Sequence, residues 1–264
     1  MMEDTAIRLE HVSLTRNNTE IIKDMSWEVK KGEHWALLGL NGAGKTSLLK
    51  LITGYEWVSR GQVSVLGKRF GEVNLQELRK SIGWVSSSLD ERLQTKSNDT
   101  AFEVVLSGAF ASFGLYEQVT ERQIERATEL IESFGITYAI NRPFRLLSQG
   151  EKKKTLLARA WMANPELLIL DEPCNGLDVY SREQLLNIIH YLATQPDGPT
   201  LIYVSHHIEE IMPPFKKVLL LKNGEKLAEG EKTDVIHEDL LSEAFKVPVS
   251  INWEKGRPWL SVKG

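Results

Sequence analysis

A loop that binds phosphate is the strongest chemical signal in the sequence. Residues 39–46 read GLNGAGKT and match the P-loop pattern in full. Gly42 and Gly44 let the backbone turn tightly, so that successive N–H groups point at a phosphate. Lys45 is expected to reach the β- and γ-phosphates of a nucleotide, and Thr46 is expected to ligate Mg²⁺.

The context of this loop favours a nucleotide site over a glycine-rich turn with a surface lysine. A short apolar run, HWALLG, precedes the loop and predicts a buried strand, and a helix is expected from about Gly44 to Thr53. The N-terminus of that helix would add partial positive charge. The residues predicted to bind nucleotide in this segment are Gly39, Asn41, Gly42, Ala43, Gly44, Lys45, Thr46 and Ser47.

Two carboxylates end another predicted buried strand. The segment LLILDEPCNGLD, residues 167–178, places Asp171 and Glu172 at the strand's end. Asp171 is a candidate Mg²⁺ ligand, directly or through water. Glu172 is placed to orient or deprotonate a water that attacks the γ-phosphate. The alternative is a strand that ends in a polar turn, and the P-loop earlier in the chain makes that interpretation weaker.

Two histidines follow a third predicted strand. TLIYVSHH places His206 and His207 directly after the apolar run. A single histidine here would more often be a structural residue. In a chain with a P-loop and an acidic strand end, a contact with the γ-phosphate is predicted, but the residues alone do not decide between the two histidines.

A helix start is predicted at LSQGEKKK, residues 147–154. Ser148 and Glu151 have the spacing of a capping box, and an apolar run follows them. The run Lys152, Lys153 and Lys154 is interpreted as a solvated helix face.

Alternation and turn residues predict the surrounding elements. Residues 5–30 indicate a β-hairpin around Asn17-Asn18, and residues 217–230 indicate another over Asn223-Gly224. Further buried strands are predicted at 82–85, 166–171 and 200–205. Helical spacing dominates between about 100 and 164, where Ile124, Ala127, Ile131 and Phe134 recur. The chain is therefore expected to have a strand-rich core that is interrupted by a mainly helical insertion.

Composition limits the classes of partner. The chain has 264 residues and a net charge of −4, which argues against a nucleic-acid-binding surface. Cys174 is the single cysteine, so no internal disulfide is expected, which fits a reducing cytoplasm. We expect no signal peptide and, without an apolar run of about 18 residues, no transmembrane helix. Any membrane role is expected to come through a partner.

With GLNGAGKT, LSQGE, LLILDEP, NGLD and VSH in this order, the chain resembles ABC-transporter ATP-binding subunits over nearly its whole length. The resemblance implies an α/β fold with a P-loop NTPase (RecA-like) core, an antiparallel β subdomain and an inserted α-helical subdomain. It places the nucleotide-binding core at about 1–85 and 165–264, and the helical signature subdomain at about 86–164. It also implies a homodimer, in which two copies join head to tail and each ATP lies between the P-loop of one copy and the signature of the other.

The resemblance also implies roles for individual residues. Ser148 and the Gly150 backbone would contact the γ-phosphate that the partner copy holds. Glu172 would be the catalytic carboxylate, and Asp178 would lie in the D-loop that links the two sites. His206, directly after Ser205, would be the switch histidine.

Three features of the sequence, at four positions, depart from the family pattern. Gln149 and Glu151 replace a glycine and a glutamine of the signature, and a carboxylate near a phosphate is unfavourable unless it turns away as the cap partner. Arg16 stands where the adenine-stacking aromatic is expected, and its guanidinium plane can stack on a base. Ser87 stands where the Q-loop glutamine is expected, which weakens the inference of coupling to membrane subunits. The stretch SSSLDE resembles a ModF-like subgroup.

The leading functional hypothesis is an ATPase with ATP and Mg²⁺ as cofactors that powers a membrane transporter. It implies integral membrane permease subunits as partners and a cytoplasmic location at the inner face of the membrane. The C-terminal segment, about 225–264, is similar to importer subunits of the iron-chelate type. A soluble ABC ATPase that acts on a protein or nucleic-acid partner is the alternative, and the missing glutamine favours it. A P-loop kinase or GTPase would leave LSQGE unexplained.

Overall fold

The structure is a computed structural model that describes residues 4–86, 98–110 and 119–263. The described strands are β1 (Thr5–Arg16), β2 (Thr19–Lys30), β3 (Trp35–Leu38), β4 (Arg60–Val65), β5 (Lys68–Arg69), β6 (Ile82–Val85), β7 (Leu167–Asp171), β8 (Thr200–Ser205), β9 (Lys217–Lys222), β10 (Glu225–Glu231), β11 (Val249–Glu254) and β12 (Arg257–Val262). The described α-helices are α1 (Lys45–Ile52), α2 (Leu75–Lys80), α3 (Ala101–Ser107), α4 (Glu121–Ser133), α5 (Gln149–Met162), α6 (Val179–Ala193), α7 (Lys232–Val235) and α8 (Glu238–Phe245). None of the helices in these three ranges is both long enough and apolar enough to cross a membrane.

The chain divides into two compact units. The first unit comprises Met1–Arg79 and Ala193–Gly264, and the second comprises Lys80–Leu192. The sequence predicted the boundaries between the nucleotide-binding core and the helical signature subdomain at about 85 and 165. The second unit also contains β6, β7 and most of α6, which the sequence analysis assigned to the core. The assignment of a nucleotide-binding core and a signature subdomain stays a prediction.

An antiparallel sheet in the first unit has the strand order β2-β1-β4-β5. The predicted hairpin around Asn17-Asn18 is confirmed, since β1 pairs with β2 and Arg16 lies opposite Thr19. Both asparagines have positive φ, 50° and 60°, which a tight hairpin turn requires and which asparagine tolerates well.

The first unit also holds the strand sequence β10-β9-β3-β8. β3 lies parallel to β8 and to β9, with Leu38 opposite Ser205 and opposite Leu220. Every residue of β3 and β8 is buried, as expected for parallel strands with both faces covered. The carboxyl ends of β3 and β8 therefore meet at one edge of this sheet, which is where α/β proteins place ligands. The hairpin predicted at residues 217–230 is confirmed as β9 and β10.

The second unit contains helices and one parallel strand pair. β6 and β7 pair in register from Ile82 opposite Leu167 to Val85 opposite Leu170. α3, α4 and α5 pack on one another, which confirms a helical signal between 100 and 164. Of the predicted apolar face, Ala127, Ile131 and Phe134 are buried, whereas Ile124 in the first turn of α4 is exposed.

The C-terminal segment of the described chain ends in an antiparallel hairpin of β11 and β12. Lys232 is buried beside this hairpin, with 8% of its surface exposed. Its Nζ donates to the carbonyl oxygens of Gly256, at 2.9 Å, and Met212, at 3.3 Å. Burial lowers the pKa of Lys232 from 10.5 to about 8.

We expect this lysine to make stability depend on pH. Below pH 8 both folded and unfolded chains hold the proton, so the folded state carries the full cost of the buried charge. Between about pH 8 and pH 10.5 the folded chain releases the Lys232 proton and the unfolded chain keeps it. The free energy of unfolding of the wild-type protein therefore rises by up to about 3 kcal/mol relative to that of Lys232→Met. Urea unfolding of both proteins from pH 7 to pH 10 measures this difference. Lys68→Met, at an exposed position of β5, is the matched control, and a constant difference for Lys232→Met would contradict the assignment.

Candidate nucleotide site

The P-loop connects β3 to α1 in the first unit and bends where its glycines lie. Gly42 and Gly44 have φ of 81° and 105°, in the left-handed region that glycine adopts at no steric cost. A Cβ on Gly44 would also lie 2.9 Å from Cδ1 of Ile22 and 3.3 Å from the carbonyl oxygen of Ile21. Gly44 is therefore required both by the conformation of the loop and by its close packing on β2.

The turn between β9 and β10 supports the P-loop, a contact that was not predicted from the sequence. Gly224 N donates to the carbonyl oxygen of Ala43 at 2.9 Å, and Lys23 N donates to the carbonyl oxygen of Gly224 at 2.9 Å. Gly224 has φ of 82°, and a Cβ there would lie 2.2 Å from the carbonyl oxygen of Ile21. The Asn223-Gly224 signal predicts a turn, but nothing in it indicates the segment on which the turn packs.

Lys45 lies buried against its own loop. Its Nζ donates to the carbonyl oxygen of Gly39 at 2.7 Å and approaches that of Leu40 at 3.3 Å. Thr46 is exposed and Ser47 is half-buried in the first turn of α1, and that turn contains no acidic residue. A helix N-terminus with an ammonium group, two hydroxyl groups and no carboxylate fits a phosphate anion.

His206 and the P-loop follow two parallel strands that end at the same edge of the sheet. It follows Ser205, which lies opposite Leu38, the last residue before Gly39. The His206 and His207 rings lie with centroids 4.1 Å apart; His206 is half-buried and His207 is exposed. The structure therefore brings the P-loop and the histidine pair to adjacent strand ends within the first unit.

Arg16 lies at the end of β1, and its guanidinium forms an ion pair with Glu56. This carboxylate fixes one edge of the guanidinium plane. Base stacking on Arg16 stays a prediction, as does the selectivity for adenine.

The acidic pair lies in the second unit, at the end of β7. Asp171 is the last residue of the strand. Glu172 has φ of 48°, a left-handed conformation that a residue with a long side chain adopts only where its surroundings impose it. Asn175 N donates to the carbonyl oxygen of Glu172 at 3.1 Å and closes the turn. His11, Leu66 and Lys255 have similar positive φ values, of 50° to 52°, so the catalytic role of Glu172 stays a prediction.

The predicted capping box is confirmed at the start of α5. Glu151 N donates to Ser148 Oγ at 3.3 Å, and Ser148 N donates to Glu151 Oε2 at 2.6 Å. Arg142 Nη1 donates to Glu151 Oε1 at 3.0 Å. Burial by itself would raise the pKa of Glu151, but the hydrogen bonds from Ser148 and Tyr138 and the charge of Arg142 outweigh it and lower the pKa. The carboxylate that departs from the family signature is therefore turned back onto its own helix.

Gly150 and Asp178 are linked through Ser181, which the sequence analysis missed. Ser181 N donates to Asp178 Oδ1 and Ser181 Oγ to Asp178 Oδ2, both at 2.9 Å. These bonds lower the pKa of Asp178. A Cβ on Gly150 would lie 3.1 Å from both Cβ and Oγ of Ser181. The first turn of α5 and the first turn of α6 are therefore in contact within the second unit.

The interpretation of Lys152, Lys153 and Lys154 as a solvated face was wrong. Their exposed fractions are 6%, 3% and 9%. Lys154 Nζ donates to Gln184 Oε1 of α6 at 2.7 Å, and burial lowers the pKa of Lys154. α5 packs against α3, α4 and β6. The helix therefore buries these lysines along with its apolar residues.

Ser87, the position of the expected glutamine, lies outside the described residues.

Comparisons with known proteins agree with this geometry. The sequence profile of the family described as ABC transporter matches residues 22–175. The chain belongs to the ABC transporter family. This ABC cassette is 46% identical to the ABC transporter ATP-binding protein YlmA of Bacillus subtilis, a protein described as uncharacterized, over 97% of this chain and 96% of that one. It is 36% identical to the ABC transporter ATP-binding protein ModF of Escherichia coli, over 77% of this chain and 42% of ModF.

Solved structures show the same fold. The cassette aligns with cbiO1 of Clostridium perfringens, part of the ABC transporter complex cbiONQ, with a TM-score of 0.78 and 26% identity over 91% of this chain and 94% of that one. It aligns with the dimeric bacterial cassette MJ0796 with a TM-score of 0.72 and 24% identity over 85% and 98% of the two chains. The fold is therefore the α/β P-loop NTPase fold of ABC ATPases, and this ABC cassette is an ATPase that binds and hydrolyses ATP.

Proposed function

We propose that this ABC cassette hydrolyses ATP in a head-to-tail dimer of two copies and so powers a membrane transporter. The observation that carries the proposal is the cap of α5. The capping box uses the N–H groups of Ser148 and Glu151. The first-turn N–H groups of Gln149 and Gly150 have no acceptor within the helix, which makes them suitable donors to a phosphate that a second copy holds.

The proposed mechanism assigns one task to each group of residues. The P-loop, with Gly39, Asn41, Gly42, Ala43, Gly44, Lys45, Thr46 and Ser47, binds the phosphates of ATP. Glu172 orients the attacking water and accepts its proton, and His206 contacts the γ-phosphate. Arg16 lies against the base, and Asp178 links the two composite sites of the dimer.

Thr46 and Asp171 fit the role of Mg²⁺ ligands. Both offer side-chain oxygens, the donors that Mg²⁺ prefers, and Thr46 is exposed at the first turn of α1. When bound, Mg²⁺ would supply charge that neutralises the phosphate oxygens. This chain's own residues hold the nucleotide and move the proton.

The proposed partners are a second copy and integral membrane permease subunits, which place the cassette in the cytoplasm at the inner face of the membrane. The name of cbiO1, part of a transporter complex, and the shared family support this assignment. A soluble ABC ATPase that acts on a protein or nucleic-acid partner is the second candidate, because Ser87 replaces the glutamine through which the family couples to its membrane subunits.

Purification from native membranes separates these two candidates. We expect tagged Glu172→Gln protein, extracted with a mild detergent in ATP and Mg²⁺, to carry a multi-span membrane protein in a fixed ratio, because this substitution is expected to trap the nucleotide-bound state. Lys45→Ala is the matched control and should retain less of that protein. Recovery of all the cassette in the soluble fraction, with a non-membrane partner, would support the second candidate instead.

A further inference from the structure

A buried carboxylate lies four residues after His206. Glu210 ends the short 3₁₀ turn Ile208–Glu210 and has 4% of its surface exposed. Its Oε2 accepts two hydrogen bonds from hydroxyls of β8, one from Tyr203 at 3.0 Å and one from Ser205 at 2.7 Å. A carboxylate oxygen can accept both at once, and such charge-assisted bonds are stronger than neutral ones.

The hydrogen bonds continue to the far side of His206. His207 N donates to Ser205 Oγ at 3.0 Å. Because the Ser205 hydroxyl donates its hydrogen bond to Glu210, a lone pair of the same oxygen can accept the N–H of His207. The residues on either side of His206 are thus joined to each other and to one buried carboxylate.

The strand end that carries this network has a fixed position. Tyr203 is fully buried and packs edge-on against Phe215, with ring centroids 5.4 Å apart. Ser205 lies opposite Leu38, directly before the P-loop. A shift of the corner after Ser205 would therefore move the His206 ring relative to the start of the P-loop within the same unit.

Burial of a carboxylate is costly unless its oxygens are hydrogen-bonded, and an apolar residue of similar size would fill the same space at less cost. We propose that Glu210 is a positioning residue, which fixes the corner between Ser205 and His207 so that the His206 ring faces the γ-phosphate. This inference rests on the proposed function, in which His206 makes that contact.

Steady-state ATPase kinetics of the purified cassette tests the inference. Glu210→Ala is expected to lower kcat by about tenfold and to change KM for ATP by less than about twofold, because the P-loop still binds the nucleotide. Glu210→Gln should recover most of kcat, since its amide oxygen can accept both hydroxyls. Ile211→Val, a buried conservative change at the next residue, is the matched control and should retain the wild-type kcat.

A double-mutant cycle with His206 separates positioning from a general structural effect. If Glu210 acts through His206, the protein with both His206→Ala and Glu210→Ala will be no slower than His206→Ala alone. Losses that multiply would overturn the proposal, as would wild-type kcat in Glu210→Ala.

Ser205→Ala keeps the test decisive if Glu210→Ala does not fold. It removes the bond to His207 N and one bond to Glu210, and it should reproduce the fall in kcat. Wild-type kcat in Ser205→Ala would then overturn the proposal.

The His206→Ala variant distinguishes failure of the proposed role of His206 from failure of the positioning role of Glu210. If His206 does not contact the γ-phosphate, His206→Ala will keep the wild-type kcat, and the positioning role will be overturned with it. A slow His206→Ala with an unaffected Glu210→Ala would overturn the positioning role alone.

Discussion

Glu172→Gln is expected to slow ATP hydrolysis by about 10²-fold or more, the scale of a lost general base, and to leave ATP binding nearly intact. The amide keeps the shape of the side chain but cannot accept the proton of the attacking water. Because hydrolysis no longer ends the bound state, ATP and Mg²⁺ should also trap a dimer. Single-turnover ATPase measurements and size-exclusion chromatography report these two effects.

Glu129→Gln is the matched control for this prediction. Glu129 is an exposed carboxylate of α4 that lies 3.4 Å from Arg126, in the same unit as Glu172. Its amide variant should hydrolyse ATP at the wild-type rate. Near-normal turnover in Glu172→Gln would remove Glu172 from the catalytic role.

Mixing two inactive variants is expected to restore ATPase activity. Lys45→Ala should lose nucleotide affinity at its own P-loop, and Ser148→Arg should block the first turn of α5 with a bulky side chain. A heterodimer of the two keeps one intact composite site, so random mixing should recover about a quarter of the wild-type rate if the two sites act independently.

The same substitutions placed together on one chain provide the control for the mixing experiment. A double variant, Lys45→Ala with Ser148→Arg, has no intact half to contribute and should stay inactive when it is added to either single variant alone. Full activity from a strictly monomeric wild-type protein, or from Ser148→Arg by itself, would rule out the shared site.

The start of α5 joins a helix cap that the structure confirms to the phosphate contact proposed for the same turn. Ser148 and Glu151 exchange hydrogen bonds across a single turn, and Arg142 binds the remaining oxygen of the carboxylate. In the proposed dimer, a Glu151 side chain that left the cap would place a negative charge beside the phosphate held by the second copy. In the capping box its carboxylate accepts the N–H of Ser148 and does not occupy the N–H groups of Gln149 and Gly150.

The sequence alone determined the features that depend on neighbours along the chain. The P-loop pattern, the capping box, the two asparagine turns and the buried strands at β3, β7 and β8 were all predicted from short segments. Each of these signals comes from apolar periodicity, from φ preferences or from hydrogen bonds between residues within one turn. Such interactions form in much the same way wherever the segment lies in the fold.

Only the tertiary structure decided which distant segments support these features. A run of three charged residues predicts a solvent-exposed helix face, which is why Lys152, Lys153 and Lys154 were assigned to one. The elements that bury these lysines come from other parts of the chain, so the run itself does not indicate them. Gly224 supports the P-loop from the far end of the chain, and the left-handed backbone of Glu172 has no signature in its residue type. Glu210 is an ordinary acidic residue in the sequence, and it becomes a candidate for positioning only because Tyr203 and Ser205 direct their hydroxyls to it. Desolvation and hydrogen-bond partners depend on close approach in space, which local sequence patterns do not encode.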